Sequence, residues 1–178
     1  NTVLLGWPTD PERAESFGAT LRVVAGLNRS IVAVRMPDDP DDPWDAPQGT
    51  VDVWWRGKAN GPLMLLLAHL LVTNEAWRTR PIRLLRIAAS EAAREEMTRH
   101  LEQLIESSRI RVTAQVIVAE DVAEVIHQTS RGAAVVLLGF EAPEEGAEAA
   151  FFAAMEHLAG DLPRVILVDS VGGMELDI

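Results

Sequence analysis

The stretch Val51–Leu71, VDVWWRGKANGPLMLLLAHLL, constrains the fold more than any other part of the chain. The β-branched and aromatic run Val51-Asp52-Val53-Trp54-Trp55 has the composition of a buried strand, and a polar, glycine-bearing turn follows it. From Leu63 to Val72 only His69 interrupts an apolar segment, so a helix there is expected to be buried nearly all round. Ten such residues are roughly half of what a bilayer crossing takes, which makes this a core helix and leaves the rest of the chain to build its walls.

A chain of 178 residues with 48% hydrophobic content can supply those walls as one compact α/β domain over residues 1–178, with 1–80 and 81–178 as its expected halves. The net charge of −11 disfavours nucleic acid, whose phosphates need clustered Lys and Arg, and it equally disfavours docking flat on an anionic leaflet. Without cysteine there is no disulfide framework, thiol catalysis or thiolate metal site. The chain opens on Asn1 with no charged-then-apolar leader, so it is expected to be a fragment of a longer protein, and no stretch is long enough for direct membrane insertion.

Taken in order, Thr2–Trp7 reads as a buried parallel strand. Asp10 before Pro11 is an N-cap with proline at the first helical position, and Ala14–Leu27 carry the helix. Ser30–Met36 is the next strand, which implies a right-handed crossover in a parallel sheet. Residues 37–49, PDDPDDPWDAPQG, hold four prolines and five aspartates and form a flexible acidic loop. That loop is either a plain linker or a docking segment presented through Trp44. Ile82–Ala88 is a strand in which Arg83 and Arg86 break strict alternation. Glu91–Ser107 is an amphipathic helix with Ala92, Met97, Leu101, Leu104 and Ile105 on one side. Arg111–Val118 is a strand, Asp121 caps a short helix to Ser130, and Ala133–Phe140 is the most apolar strand. Glu144–Leu158 is a helix and Arg164–Asp169 a strand. Gly172-Gly173 then turns the chain toward Met174–Ile178, an expected antiparallel edge strand.

The two ends echo each other. Val3-Leu4-Leu5-Gly6-Trp7, followed by Pro11, Glu12 and Phe17, matches Val136-Leu137-Leu138-Gly139-Phe140, followed by Pro143, Glu144 and Phe151. The chain therefore reads as two pseudo-symmetric βαβ halves, with chance likeness between two buried βα units as the alternative.

Candidate chemistry is sparse. Gly6 and Gly139 each close a strand where a doubly wound sheet would place a ligand, but neither continues as a phosphate-binding glycine fingerprint. Glu141, Glu144 and Glu145 after Gly139 would repel a phosphate. Arg56-Gly57-Lys58-Ala59-Asn60-Gly61 is either an anion-binding turn at a helix start or a solvated turn pairing with the acidic loop. His69, His100, His127 and His157 lie on four different expected helices without a metal signature, and no Ser stands in a nucleophile elbow. No catalytic, cofactor-binding or metal residue is assigned, no cofactor is expected, and the chain is not read as an enzyme.

Three groups of residues in order resemble the C-terminal cytosolic domain of the cation-chloride cotransporters, a branch of the amino acid permease-like secondary transporters. The opening NTVLLGWP is one; Asp52-Val53-Trp54-Trp55, the glycine turn, LMLLLAHLL, Trp77 and IRLLRI are the second; VVLLGFEAP, Leu162–Val168, Gly172-Gly173 and Glu175-Leu176 are the third. Asp169 and Pro62 depart from the family pattern, and the absence of the long Ser/Thr-bearing inserts of animal members suggests a prokaryotic relative. The resemblance implies an α/β fold like that of universal stress proteins, with a mainly parallel central sheet flanked by helices. It also implies a homodimerising regulatory domain on the cytoplasmic face of the membrane, partnered by a transmembrane domain of the same polypeptide that moves the ions. The other readings of the same residues are a free-standing stress-protein-like nucleotide binder and a hydrolase on a doubly wound sheet.

Overall fold

The computed structural model describes residues 1–36, 48–56, 59–108 and 110–172, so residues 37–47 of the acidic loop with Trp44, Gly57 and Lys58 of the anion candidate, and the expected C-terminal strand lie outside the described residues. The elements run β1 (Thr2–Gly6), a 3-10 turn (Pro11–Arg13), α1 (Ala14–Gly26), β2 (Ser30–Arg35), β3 (Val51–Trp54), α2 (Asn60–Thr73), β4 (Ile82–Ala88) and α3 (Glu91–Ser108). They continue with β5 (Val112–Val118), α4 (Val122–Ser130), β6 (Val135–Gly139), α5 (Glu148–Ala159) and β7 (Val165–Asp169).

Local chemistry sets several of these limits. Asp10 accepts a hydrogen bond from the Glu12 N–H at 2.9 Å, with Pro11 in the first position. Asp121 accepts from the Glu124 N–H at 2.9 Å and so starts α4. Asn28, at a φ of 54°, takes the left-handed conformation that ends α1. α5 begins at Glu148 rather than at the expected Glu144, because Gly146 sits at a φ of 83°, which no right-handed helix contains.

The strands form one sheet in the order β1-β2-β7-β6-β3-β4-β5. β3 to β7 all run parallel and β1 runs parallel to β2, so the sheet is mostly parallel, as expected. Its single antiparallel join among the described strands is β2 with β7, where Ile31 lies opposite Asp169 and Arg35 opposite Val165. Two βαβ units, β1-α1-β2 and β6-α5-β7, therefore meet head to tail across that seam.

Side chains alternate between the two faces of the sheet. On the first face Leu85, Val136, Leu138, Val165 and Leu167 pack under α1, α4 and α5. Trp7 is the hub of an aromatic cluster there, stacked on Phe152 at 5.1 Å between ring centres and edge-on to Phe17 at 5.2 Å. Its indole N–H donates to Glu156 at 2.6 Å, which satisfies the one polar atom it would otherwise bury. On the second face Val51, Val53, Leu137 and Val168 pack under α2 and α3.

Two expectations about burial are corrected. α2 is not buried all round: Leu63, Met64, Leu65 and Ala68 are, while Leu66, Leu67, Leu71 and Val72 are half-buried and Leu70 is 54% exposed. The reason is architectural, because α2 lies in an outer layer and meets the sheet on one side only. β1 is not a buried strand either, since it is the sheet's edge, and Leu4 on its second face is 71% exposed.

Candidate functional site

The chain enters the parallel part of the sheet at β3, steps outward to β4 and β5, then returns to lay down β6 and β7 on the other side of β3. The strand order thus reverses between β3 and β6. In open α/β sheets ligands bind outside the carboxyl ends of the strands at such a reversal. A cavity of about 700 Å³ opens there, lined by residues at the carboxyl ends of four adjacent strands, among them Trp54, Trp55, Arg86, Ala119 and Gly139. The volume lies in the range of roughly 300–1,000 Å³ usual for small-molecule sites.

Gly139 closes β6 at this cavity with the side chain of Asn60 packed closely against it. A Cβ on Gly139 would come within 3.0 Å of the Asn60 amide nitrogen. That nitrogen donates to the Phe140 carbonyl at 2.7 Å, and the amide oxygen accepts from the Ser170 N–H at 2.7 Å. Asn60 therefore ties the first residue of α2 to the ends of β6 and β7. Gly61 beside it lies against the Trp55 ring, where a Cβ would meet ring carbons at 2.4 Å.

The loop after Gly139 is already supplied with negative charge. The Ala142 N–H donates to Asp169 at 3.1 Å. Burial pushes the Asp169 carboxyl up from its ordinary range, the Ala142 N–H opposes that, and the Glu141 carboxylate adds to it. In the loop after Gly139 the Ala142 N–H is thus already engaged by a carboxylate of the chain itself.

Of the anion candidate at residues 56–61, Arg56 is exposed at the mouth of the cavity and Asn60 is a structural tie. Gly6 ends β1 in open space, far in character from Gly139. Two histidines come together, His127 and His157, with ring centres 6.5 Å apart, and His127 Nε2 lies 3.1 Å from the Leu158 carbonyl. His69 on α2 and His100 on α3 do not join them. Among the described residues no group of three His, Cys, Asp or Glu could hold a metal ion.

Sequence reasoning missed one polar cluster. Asp52, fully buried in β3, accepts from Arg83 at 2.8 and 2.5 Å, from Ser130 at 2.6 Å and from Thr50 at 2.7 Å. The Trp54 indole N–H donates to the same Ser130 at 3.1 Å. Asp52 and Arg83 are register partners across β3 and β4, so the pair is set by strand alignment. An aspartate between the buried valines of VDVWW and an arginine that breaks alternation in IRLLRI were the available signal. Removing one partner of such a pair strands a buried charge and costs about 3–5 kcal/mol. The cluster braces β3 from below the cavity.

Comparison with known proteins agrees with this architecture. The family model "Solute carrier family 12" matches residues 44–124. "Potassium/chloride cotransporter 3" of Caenorhabditis elegans is 24% identical over 113 residues, which are 62% of this chain and 10% of that protein. "Cation-chloride cotransporter 2" of Oryza sativa subsp. japonica is 31% identical over 91 residues, 51% of this chain and 9% of that protein. The chain thus spans about a tenth of the length of the curated relatives it matches. The crystal structure of the cytoplasmic domain of a prokaryotic cation chloride cotransporter superposes with a TM-score of 0.75 at 16% identity, covering 99% of this chain and 66% of that one. The likeness to the cation-chloride cotransporters, first carried by the order of three groups of residues, is shown by a family model, by relatives and by a shared fold.

Proposed function

We propose that this chain is a non-catalytic, cytosolic C-terminal domain of a cation-chloride cotransporter-like membrane transporter, and that it regulates transport by holding two copies of the transporter together. The observation that carries the reading is the outer side of α2. Its sequence is apolar on every side, yet only one side meets the sheet, which leaves Leu70 exposed and Leu66 and Leu67 half-exposed. On the same face of the sheet Leu4 extends the row Leu4, Val32 and Val168 into solvent at the β1 edge. A second copy is the occupant that fits two apolar patches on a chain of net charge −11, because apolar contact needs no opposite charge on the partner.

No helix among the described residues is long and apolar enough to cross a membrane. Ion movement accordingly belongs, in this reading, to a transmembrane part beyond these residues, and the present domain acts by favouring one conformation of that part through differential contacts.

Sedimentation velocity tests the proposal. Concentration-dependent self-association is expected, weakened about tenfold or more by Leu70→Glu, which places a charge in the apolar contact. A strict monomer up to millimolar concentration, in wild type and variant alike, would remove it. A second reading, a stand-alone nucleotide-binding domain of the universal stress protein type, would place its ligand in the cavity between β3 and β6. Calorimetric titration with ATP decides that one, and absence of heat and of any melting shift at millimolar ATP eliminates it.

A further inference from the structure

We propose that the cavity at the carboxyl ends of β3 and β6 binds a small organic monoanion, a single carboxylate carried on an aromatic or branched apolar body. The inference is independent of the transporter reading and rests on three features of the cavity. Its walls are apolar, with Ile126, Leu138 and Leu158 from the first face meeting Met97 and the indole of Trp55. Its charged lining side chains are Arg56, Arg86 and Glu120, one positive charge in excess. Neither arginine forms an ion pair among the described residues, although Asp52, Glu148, Glu156 and Glu91 all take cationic partners elsewhere.

The third feature is an orphan donor. Trp55 is 5% exposed and its indole N–H is buried with no hydrogen-bond partner. Buried donors are nearly always paired, so one that is not, on a residue lining a cavity, points to an acceptor supplied from outside the chain. A carboxylate offers acceptors to both a guanidinium and an indole N–H, and a flat or branched body suits the walls.

The same features select against a nucleotide. One net positive charge does not balance a polyphosphate, and the Ala142 N–H in the loop after Gly139 already serves Asp169. Burial of a carboxylate beside an arginine needs only one unit of charge matched.

The test uses the 178-residue chain with 1-anilinonaphthalene-8-sulfonate, an aromatic monoanion, as fluorescent probe, and indole-3-acetate as competitor. One saturable site is expected, with the probe displaced by indole-3-acetate and far less by neutral indole. Arg86→Met should weaken both ligands about tenfold, the factor that corresponds to about 1.4 kcal/mol. Ala89→Trp, which fills the cavity from an exposed lining position, should weaken them as much without altering any charge. Melting curves of both variants establish that they fold, and either variant suffices for the comparison. The proposal is overturned by the lack of a saturable site, by binding unchanged in the folded variants, or by ATP displacing the probe as well as indole-3-acetate does.

Discussion

Val3-Leu4-Leu5-Gly6-Trp7 and Val136-Leu137-Leu138-Gly139-Phe140 are nearly the same five residues, and the structure repeats them in detail. Each is a strand ending in glycine, and the next residue's N–H donates to the neighbouring parallel strand: Trp7 to Val34 at 2.8 Å, Phe140 to Val168 at 2.9 Å. Each points its aromatic ring into the cluster on the first face, beneath α1 and α5. Yet Leu4 is 71% exposed where Leu137 is fully buried, and Gly6 faces open space where Gly139 is pressed against Asn60. The same local message is thus read at an edge and in the middle of a sheet. Sequence sets what the element is, and its neighbours set what each side chain is worth.

The largest effect that would sharpen this contrast is at the leucines. Leu137→Ala empties a fully buried site and is expected to cost about 2–5 kcal/mol, whereas Leu4→Ala should stay within about 0.5 kcal/mol for the monomer. Denaturant midpoints at low protein concentration read both, and equal losses would break the comparison by showing that the outer side of β1 is covered.

The glycines come next. Gly139→Ala forces the Asn60 side chain to shift and loosens its two hydrogen bonds, an expected cost of about 1–3 kcal/mol. Gly6→Ala meets no atom within 4 Å and should be neutral or slightly stabilising, since alanine has less backbone freedom to lose. Thermal melting distinguishes them, and a harmless Gly139→Ala would mean that Asn60 is not the tie described.

Smaller still are two titrations on the C-terminal unit. Glu148 on α5 is bonded to Arg22 on α1, and α1 comes close enough for this because Gly18 has no Cβ to strike Glu148. Its own backbone N–H and the Arg22 guanidinium hold the Glu148 carboxyl below its ordinary 4.5. The stability it contributes is therefore present above that value and is lost as pH falls below it, and Glu148→Gln should flatten this acid limb. Asp169 has the opposite sign. Its folded value lies above 3.8, so the folded chain holds a proton that the unfolded chain has released. Stability should fall as pH rises through that window. Asp169→Asn should abolish the decline, and melting temperatures across the acid range would show a reversed slope if burial did not dominate.

Much of the fold was legible. The caps at Asp10 and Asp121, the turn at Asn28, and the apolar runs of β6 and β7 follow from short-range chemistry that any isolated segment carries. The candidate site was legible only in part. Gly139 and the glutamates that follow it were visible, and so was Arg56. The cavity itself, the Asn60 tie and the Asp52–Arg83–Ser130 cluster were not, because each joins residues some 30 to 110 positions apart.

By itself the sequence determined the elements, their mostly parallel pairing and the repeated βα message at its two ends, since hydrophobic period, capping and turn residues act over a few neighbours. Tertiary structure alone decided that β2 and β7 join antiparallel, that the strand order reverses at β3 and β6, and that a helix apolar on all sides would bury only one of them. Those outcomes depend on which elements compete for the same face of the sheet, and that competition is settled by packing over the whole chain.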